Sequence, residues 1–137
     1  MRVKKFNKNA ILPCRTHSTD AGLDIFLPEP LTLKAFETKT IGTGLGFEIP
    51  EGYAGIFIVR SSMGKKGIYI SPCIVDSGYT GETHLMISNM TEENYSFNQG
   101  DRLCSLVLFN ILTPTLTEVE EFQETERGSK GLGSSGV

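Results

Sequence analysis

Apolar residues along this chain of 137 residues occur in short runs, with polar residues often alternating between them. Turn-forming residues separate the runs about every eight to twelve positions, which is typical of a β-sandwich or β-barrel. Alternating strands and helices would need longer helical segments than the chain offers. The runs that we predict as strands include 56–59, 68–70, 85–87 and 103–109, and the predicted turns are 28–30, 42–46, 50–52, 64–67, 78–81 and 98–101.

No segment shows the sustained apolar periodicity of an amphipathic helix. One short helix is predicted directly after Arg60, where Ser61 or Ser62 could cap a turn that ends at Lys66. We find no internal repeat and no linker, so we expect a single domain over residues 1–137. The predicted fold class is therefore all-β with one short helix.

The composition is that of an ordinary globular protein, with 39% apolar and 21% charged residues. The formal net charge of −3 argues against bulk binding of nucleic acid, which usually needs a basic face. An anionic substrate would therefore have to be met by local arginines or by a metal ion. A chain of this length also leaves much surface exposed, so oligomerisation would help to stabilise it.

The N-terminus shows no signal peptide and no apolar run long enough to cross a membrane. We therefore expect a cytoplasmic protein without a membrane partner, and a nuclear or virus-encoded one is compatible with the same features. The three cysteines have no close pairs, so they predict neither a disulfide framework nor a zinc site. Buried or half-buried thiols in a reducing compartment are the expected outcome.

The first segment that could carry chemistry runs from Thr19 to Ile25, where Asp20 and Asp24 flank Gly22. Glycine lets backbone approach a ligand closely, and carboxylates near a triphosphate could hold magnesium directly or through water. The alternative is a turn stabilised by an aspartate side chain at the start of a strand.

The second segment is Arg60-Ser61-Ser62, at a predicted strand end. An arginine, two hydroxyls and free backbone N–H groups make a plausible anion site. The alternative is a surface arginine beside a capping serine.

The third segment places Asp76 and Tyr79 three positions apart in a predicted hairpin. The carboxylate could orient a water molecule, and the ring could pack on a sugar. The alternatives are a turn-forming aspartate and a core aromatic residue. Two further segments are a turn at 100–103 that contains Arg102, and a glycine-rich tail after Arg127, which by composition is flexible but could wrap a phosphate.

Taken together and in this order, the five segments resemble the five motifs of the trimeric dUTPase family, from Asp20 to Gly136. The resemblance implies a jelly-roll-like barrel or sandwich that forms a homotrimer with active sites between subunits. It implies that residues 125–137 are a mobile C-terminal arm, exchanged between subunits, that closes a neighbouring site. The implied activity is magnesium-dependent hydrolysis of dUTP to dUMP and pyrophosphate, which limits uracil in DNA and supplies dUMP for thymidylate synthesis.

The resemblance also assigns roles to residues of this chain. Asp76 matches the aspartate that activates water, and Asp24 the residue that contacts magnesium through water. Tyr79 would lie under the sugar and leave no room for a 2′-hydroxyl. The remaining matches would bind substrate. The phosphates would be bound by Arg60, Ser61 and Ser62, and the γ-phosphate also by Arg127, while Gly133 and Ser134 would add backbone contacts. The uracil would be read by main chain near Ile70, Ile74, Val75 and His84.

Two positions depart from the family pattern. Ser105 stands where glutamine is usual and is too short to make the same reach. Leu132 stands where an aromatic residue usually stacks on the uracil, and losing a stacked ring forfeits about 0.5–1.5 kcal/mol. His84 has an alternative role as a strand histidine at a subunit interface.

Three other functions fit parts of the sequence. A dCTP deaminase has similar Arg-Ser-Ser and hairpin segments, but it needs a catalytic glutamate where this chain has Met86. A binding or signalling module with weak or lost catalysis would fit the departures at Ser105 and Leu132. A lectin-like or capsid-like jelly roll would leave the acidic hairpin and the tail unexplained.

Overall fold

The structure, a computed structural model, describes residues 1–129. This part of the chain is almost entirely β, with one short helix, as the sequence predicts. No helix in it is long and apolar enough to span a membrane. The elements in chain order are β1 (Arg2–Lys5), β2 (Gly22–Phe26), β3 (Leu31–Leu33), β4 (Thr38–Gly42), β5 (Leu45–Glu48), β6 (Tyr53–Val59), α1 (Ser61–Gly64), β7 (Ile68–Ile70), β8 (Ile74–Asp76), β9 (His84–Asn89), β10 (Tyr95–Phe97) and β11 (Arg102–Asn110).

Two larger sheets and two small ones are built from antiparallel pairs. The first large sheet has the order β2-β11-β6-β8, and the second has the order β4-β9-β7. The pairs β1-β5 and β10-β3 complete the described part. All four sheets there are open, so the fold corresponds to the sandwich alternative of the prediction and not to a closed barrel.

Both large sheets contribute to one apolar core. In β9, for example, Leu85 and Ile87 are buried while His84 and Met86 are exposed, because successive side chains of a strand point to opposite faces. Phe57 and Leu106 enter the same core from the first sheet. This core fixes the strand registers, since a slip of one residue would turn each apolar set towards water.

The short helix follows Arg60 as predicted, but the predicted serine cap is wrong. Arg60 itself occupies the N-cap position with extended backbone, and no side chain caps the helix. Ser61 and Ser62 are the first two helical residues, so their hydroxyls are left exposed beside the helix start.

The segment around Asp76 is also not a paired hairpin. β8 pairs with β6 in the first large sheet, whereas β9 pairs with β4 and β7 in the second. Residues 76–84, hereafter the acid loop, therefore cross from one sheet to the other. The predicted turn 42–46 is shorter than expected as well, because Leu45 and Gly46 already belong to β5.

The outer face of the first large sheet is apolar in its middle. Val107, Ile56 and Ile74 lie side by side in one row across β11, β6 and β8. Ile58 and Phe109, two residues along their strands, continue the same face, and Ile58 is 44% exposed. We call this surface the outer sheet face. Soluble proteins rarely expose large contiguous apolar patches, and where they do the patch generally marks an interaction site.

Beyond β11 the chain leaves its own domain. Ile111 donates a backbone hydrogen bond to the carbonyl of Gly52, and residues 112–129 are all exposed. Leu112, Leu116 and Phe122 are each at least 90% exposed. This segment, hereafter the exposed tail, carries apolar side chains that residues 1–129 leave uncovered.

Candidate active site

Three polar side chains surround the carboxylate of Asp24 on the first large sheet. Arg60 and Arg102 each donate an Nη1 hydrogen bond to Asp24 Oδ2, at 2.8 and 2.9 Å. The Ser105 hydroxyl donates to Asp24 Oδ1 at 2.9 Å. Asp24 is buried, whereas both arginine side chains remain partly exposed. One carboxylate thus holds two cationic groups together, and we call these four residues the arginine cluster.

The sheet register explains why these residues meet. Asp24 in β2 lies directly opposite Ser105 in β11, and Ser105 lies opposite Ile58 in β6. Arg60 follows β6 immediately, and Arg102 begins β11. Their side chains therefore reach the same carboxylate from two strands.

Two members of this cluster were not among the predicted site residues. Arg102 was noted only as part of a turn segment, and Ser105 only as a departure from the family pattern. The arginine on a glycine-containing turn was the available signal for Arg102. The Ser105 hydroxyl has a partner in Asp24, to which it donates.

A cavity of about 460 Å³ opens beside the cluster. Its lining includes three basic side chains and a helix hydroxyl, and only one acidic residue. Arg60 and Arg102 keep guanidinium N–H groups beyond those donated to Asp24, because each guanidinium has five. The cavity can therefore bind an anion with several negative charges. The polar residues of this lining that matter here are Arg60, Ser62, Lys66, Asp101 and Arg102.

Cys104 lies next to Ser105 but faces the core and is fully buried. Burial, and to a smaller extent the charge of Asp24, raises the pKa of its thiol to about 12. A thiol with such a pKa stays protonated at neutral pH and cannot serve as a nucleophile. The cluster is thus suited to binding and not to covalent catalysis by cysteine.

The acid loop presents the second set of predicted residues. Asp76 ends β8 and is exposed, and within residues 1–129 its carboxylate makes no hydrogen bond or ion pair. Tyr79 is 45% exposed, and its hydroxyl donates to the Glu82 carbonyl at 2.6 Å. Asp76 is thereby open to water, while Tyr79 offers the face of its ring.

A cavity of about 240 Å³ lies against the acid loop. It brings together four predicted substrate-binding residues, which are Ile74, Val75, Tyr79 and His84. Ile70, in contrast, is buried in β7 and is not part of this lining. The cavity also includes Cys73 and Glu82, which sequence reasoning did not single out.

The arginine cluster and Asp76 lie at diagonal corners of the outer sheet face. Asp76 pairs with Ala54 in β6, four residues before Ile58, which belongs to the row of Asp24 and Ser105. Three strand spacings also separate β2 from β8, so that the two carboxylates are about 20 Å apart. No single substrate phosphate can contact both corners of one chain.

The predicted residues of the C-terminal region are only partly within the described structure. Arg127 lies in the exposed tail, near a turn in which Gly128 donates to the carbonyl of Thr125. Leu132, Gly133 and Ser134 lie outside the described residues.

Comparison with known proteins identifies the same family along nearly the whole chain. The family model described as dUTPase matches residues 8–136. A deoxyuridine 5′-triphosphate nucleotidohydrolase of Clostridium novyi is 37% identical, with 98% of this chain and 97% of that protein covered. The corresponding enzyme of Paramecium bursaria Chlorella virus 1 is 35% identical over 98% of this chain and 96% of its own.

Solved structures agree in fold. A mutant dUTPase of Staphylococcus bacteriophage 80alpha with bound dUpNHpp has a TM-score of 0.92 and 35% identity, over 99% of this chain and 98% of its own. A mutant dUTPase of the Staphylococcus aureus phage phi11, described as coordinating a structural Mg(II) ion, has a TM-score of 0.83 and 34% identity, over 88% and 97%.

Proposed function

Because this chain belongs to the dUTPase family of hydrolases, we propose that it hydrolyses dUTP to dUMP and pyrophosphate at a site shared between chains. In this role it would limit uracil in DNA and supply dUMP for thymidylate synthesis. The observation that supports the shared site is the separation of about 20 Å between Asp76 and the arginine cluster. A base acts within about 3 Å of the water that it activates, so in this proposal the two halves come from different subunits.

In the proposed reaction, Asp76 orients a water molecule and accepts its proton. The water oxygen attacks the α-phosphorus, the bond from that phosphorus to the bridging oxygen breaks, and pyrophosphate leaves. Placement of the water in line with the leaving group would supply most of the catalysis.

Arg60 and Arg102 would hold the triphosphate, with Ser61 and Ser62 adding hydroxyl contacts. Both arginines already share one carboxylate, so they need little reorganisation when the phosphates arrive. Preorganised cations stabilise the charge that develops on phosphate oxygens. Arg127 of the exposed tail, together with Gly133 and Ser134, would add contacts from a further subunit, and residues 125–137 would close the site.

The donor set fits a magnesium ion that enters with the substrate better than one bound by protein alone. Within residues 1–129 no three histidine, cysteine or acidic side chains are grouped as metal ligands. Asp24 already accepts three hydrogen bonds, so about one of the four acceptor positions of its carboxylate stays open, on Oδ1. That position can receive one magnesium-bound water. The ion would neutralise phosphate charge.

The substrate base and sugar would occupy the cavity at the acid loop. Tyr79, Ile74, Val75 and His84 all line that cavity, and in this proposal the main chain near the last three reads the uracil. Ile70 would contribute only through its neighbouring backbone, because its side chain is buried. Backbone groups that pair with uracil discriminate strongly, since an unpaired buried group costs about 1–3 kcal/mol.

The outer sheet face and the exposed tail support assembly as a homotrimer. A face with Asp76 at one corner and the arginine cluster at the other would form a site where it meets a second copy head to tail. Head-to-tail contacts close into a ring when the rotation between neighbours divides a full turn evenly. The exposed apolar side chains of residues 112–129 would be covered by a neighbouring chain. The trimer number itself comes from the family, and light scattering would measure it directly.

Pyrophosphate release from dUTP with magnesium tests the proposed activity. We expect rapid release by the intact protein and very little by Asp76→Asn, which is nearly isosteric but cannot accept a proton. Ammonia release from dCTP would instead favour the deaminase, although Met86 in β9 cannot transfer protons. Equal turnover of dUTP by the two proteins would exclude Asp76 as the base.

A further inference from the structure

Glu82 of the acid loop ties this loop to the opposite sheet. Its Oε1 accepts a hydrogen bond from the backbone N–H of Gly44 at 2.9 Å, in the turn between β4 and β5. The carboxylate reaches this place only because Gly42 has no side chain. A Cβ at position 42 would stand 2.3 Å from Oε1. The binding place of the carboxylate is thus formed by glycine backbone.

The backbone carbonyl of the same residue holds Tyr79. The Tyr79 hydroxyl donates to it at 2.6 Å, and His84 Nδ1 lies 3.1 Å from the same oxygen. The Tyr79 ring also lies directly on Gly81, where a Cβ would stand 2.7–3.1 Å from the hydroxyl and ring atoms. Because the hydroxyl is engaged inside the loop, Tyr79 can offer its substrate a ring face but not a hydrogen-bond donor.

These two sets of contacts belong to one residue. The peptide that carries the Glu82 carbonyl is held on the β4–β5 turn from two sides, by the Glu82 side chain on Gly44 and by the N–H of Thr83, which donates to the Leu45 carbonyl at 2.8 Å. The Glu82 carbonyl then fixes the position of the Tyr79 ring.

Asp76 is held differently, through the pairing of β8 with β6. The backbone N–H of Tyr79 also donates to the Asp76 carbonyl at 3.0 Å, so the two residues stay joined through their backbone. A change at Glu82 should therefore act on the Tyr79 ring, whose hydroxyl is held by the Glu82 carbonyl, and leave Asp76 on its strand.

We propose that Glu82 is a positioning residue that sets selectivity for the sugar by holding the Tyr79 ring over the cavity. This inference rests on the proposed function and adds a residue to it. A ribonucleotide carries one more hydroxyl at C2′, and only a fixed ring excludes it sterically. When the ring is released, the ribonucleotide gains room while the water on Asp76 is unaffected.

The experiment compares kcat and KM for dUTP and UTP in the intact enzyme and four variants. Glu82→Ala removes the link to Gly44, and Gly42→Ala displaces the carboxylate from the other side. Tyr79→Phe removes the hydrogen bond to the carbonyl. Each should lower the dUTP-to-UTP ratio of kcat/KM about three- to tenfold, the range expected for one lost hydrogen bond. Glu82→Gln keeps an acceptor for Gly44 and should stay within about twofold of the intact enzyme.

The values of kcat on dUTP separate positioning from general damage. For Glu82→Ala we expect kcat within about twofold of the intact enzyme, with the loss confined to selectivity. Combining Glu82→Ala with Tyr79→Phe should lower the dUTP-to-UTP ratio no further than the stronger single change, because the two contacts act in series to hold the same ring. Glu92→Ala serves as the matched control, since this exposed glutamate lies in the connection from β9 to β10.

Three results would overturn the inference. The first is a dUTP-to-UTP ratio of kcat/KM that stays unchanged in Glu82→Ala and Gly42→Ala. The second is an equal fall of this ratio in Glu82→Gln and Glu82→Ala, and the third is an additive fall in the double variant. If the intact enzyme fails to hydrolyse dUTP at all, the proposed function itself is wrong, and the inference falls with it. Thermal unfolding of each variant shows whether a lower dUTP-to-UTP ratio of kcat/KM comes from a destabilised fold.

Discussion

The arginine cluster and the acid loop differ in how complete they are within one chain. At the cluster, Asp24 is buried and accepts three hydrogen bonds, so its arginines are already in place. At the acid loop, Asp76 is exposed, and its carboxylate has no hydrogen-bond or ion-pair partner within residues 1–129. The half that would bind phosphate is prebuilt, whereas the half that would activate water is open.

This difference follows from the chemistry that each half would perform. Two arginines close together repel each other, and a shared carboxylate offsets that repulsion before any substrate arrives. A general base, in contrast, must keep its lone pairs free for water. The four predictions below are ordered by the size of the expected effect.

The largest effect is expected when the open half is neutralised. Asp76→Asn should lower kcat for dUTP by about 10²–10⁴-fold, the usual contribution of a positioned base, while dUTP still binds. Steady-state kinetics and calorimetric titration measure the two quantities. As a control, Glu51→Ala changes an exposed acid in the turn before β6 and should leave kcat unaltered. Loss of binding together with kcat would assign Asp76 to the binding half.

The second prediction tests whether the two halves combine between chains. Arg60→Ala and Asp76→Asn should each be nearly inactive alone. When the two kinds of subunit are mixed in equal amounts, about a quarter of the sites should be active, because a site needs an intact Arg60 from one chain and an intact Asp76 from another. The mixture must be unfolded and refolded, or coexpressed, so that subunits exchange. If activity stays at the level of the separate variants, both halves belong to the same chain.

The third prediction disturbs the prebuilt half. Asp24→Ala should destabilise the protein by about 2 kcal/mol, below the usual cost of breaking a buried ion pair because both arginines are partly exposed. It should also raise KM for dUTP, since the arginines lose their common anchor. Urea unfolding and kinetics measure these effects. An unchanged KM despite lower stability would reduce Asp24 to a structural role.

The smallest effect is expected at the closing arm. Leu132 lies outside the described residues, and its prediction rests on the family resemblance alone. Leu132→Phe should lower KM for dUTP about two- to tenfold, because a ring stacked on the base contributes about 0.5–1.5 kcal/mol. Ser134→Ala keeps the backbone contact proposed for that residue, so it serves as a matched change in the arm. An unchanged or raised KM would contradict the stacking.

The sequence predicts much of the fold because turn residues and alternating strands are local signals. The runs at 68–70 and 85–87 became β7 and β9, and the short helix follows Arg60. The sequence does not predict that residues 76–84 join two sheets, because strand partners depend on contacts distant in the chain. The serine cap failed for a similar reason, since Arg60 already takes the N-cap position.

The site residues were predictable as motifs, but their contacts were not. Asp24 meets its partners Arg60, Arg102 and Ser105 across 36, 78 and 81 residues of sequence. No local pattern states that one carboxylate serves two arginines. Glu82 was missed because its role depends on the absence of side chains at Gly42 and Gly81.

The exposed tail has a consequence for the lifetime of the protein. Exposed segments are where proteases cut first, and residues 112–129, which follow the backbone hydrogen bond of Ile111, are exposed in the described part of the chain. An unassembled subunit would therefore be open to degradation along this stretch. Where a neighbour covers the tail, the same contact that completes catalysis would also protect the chain from turnover, so that only assembled copies persist.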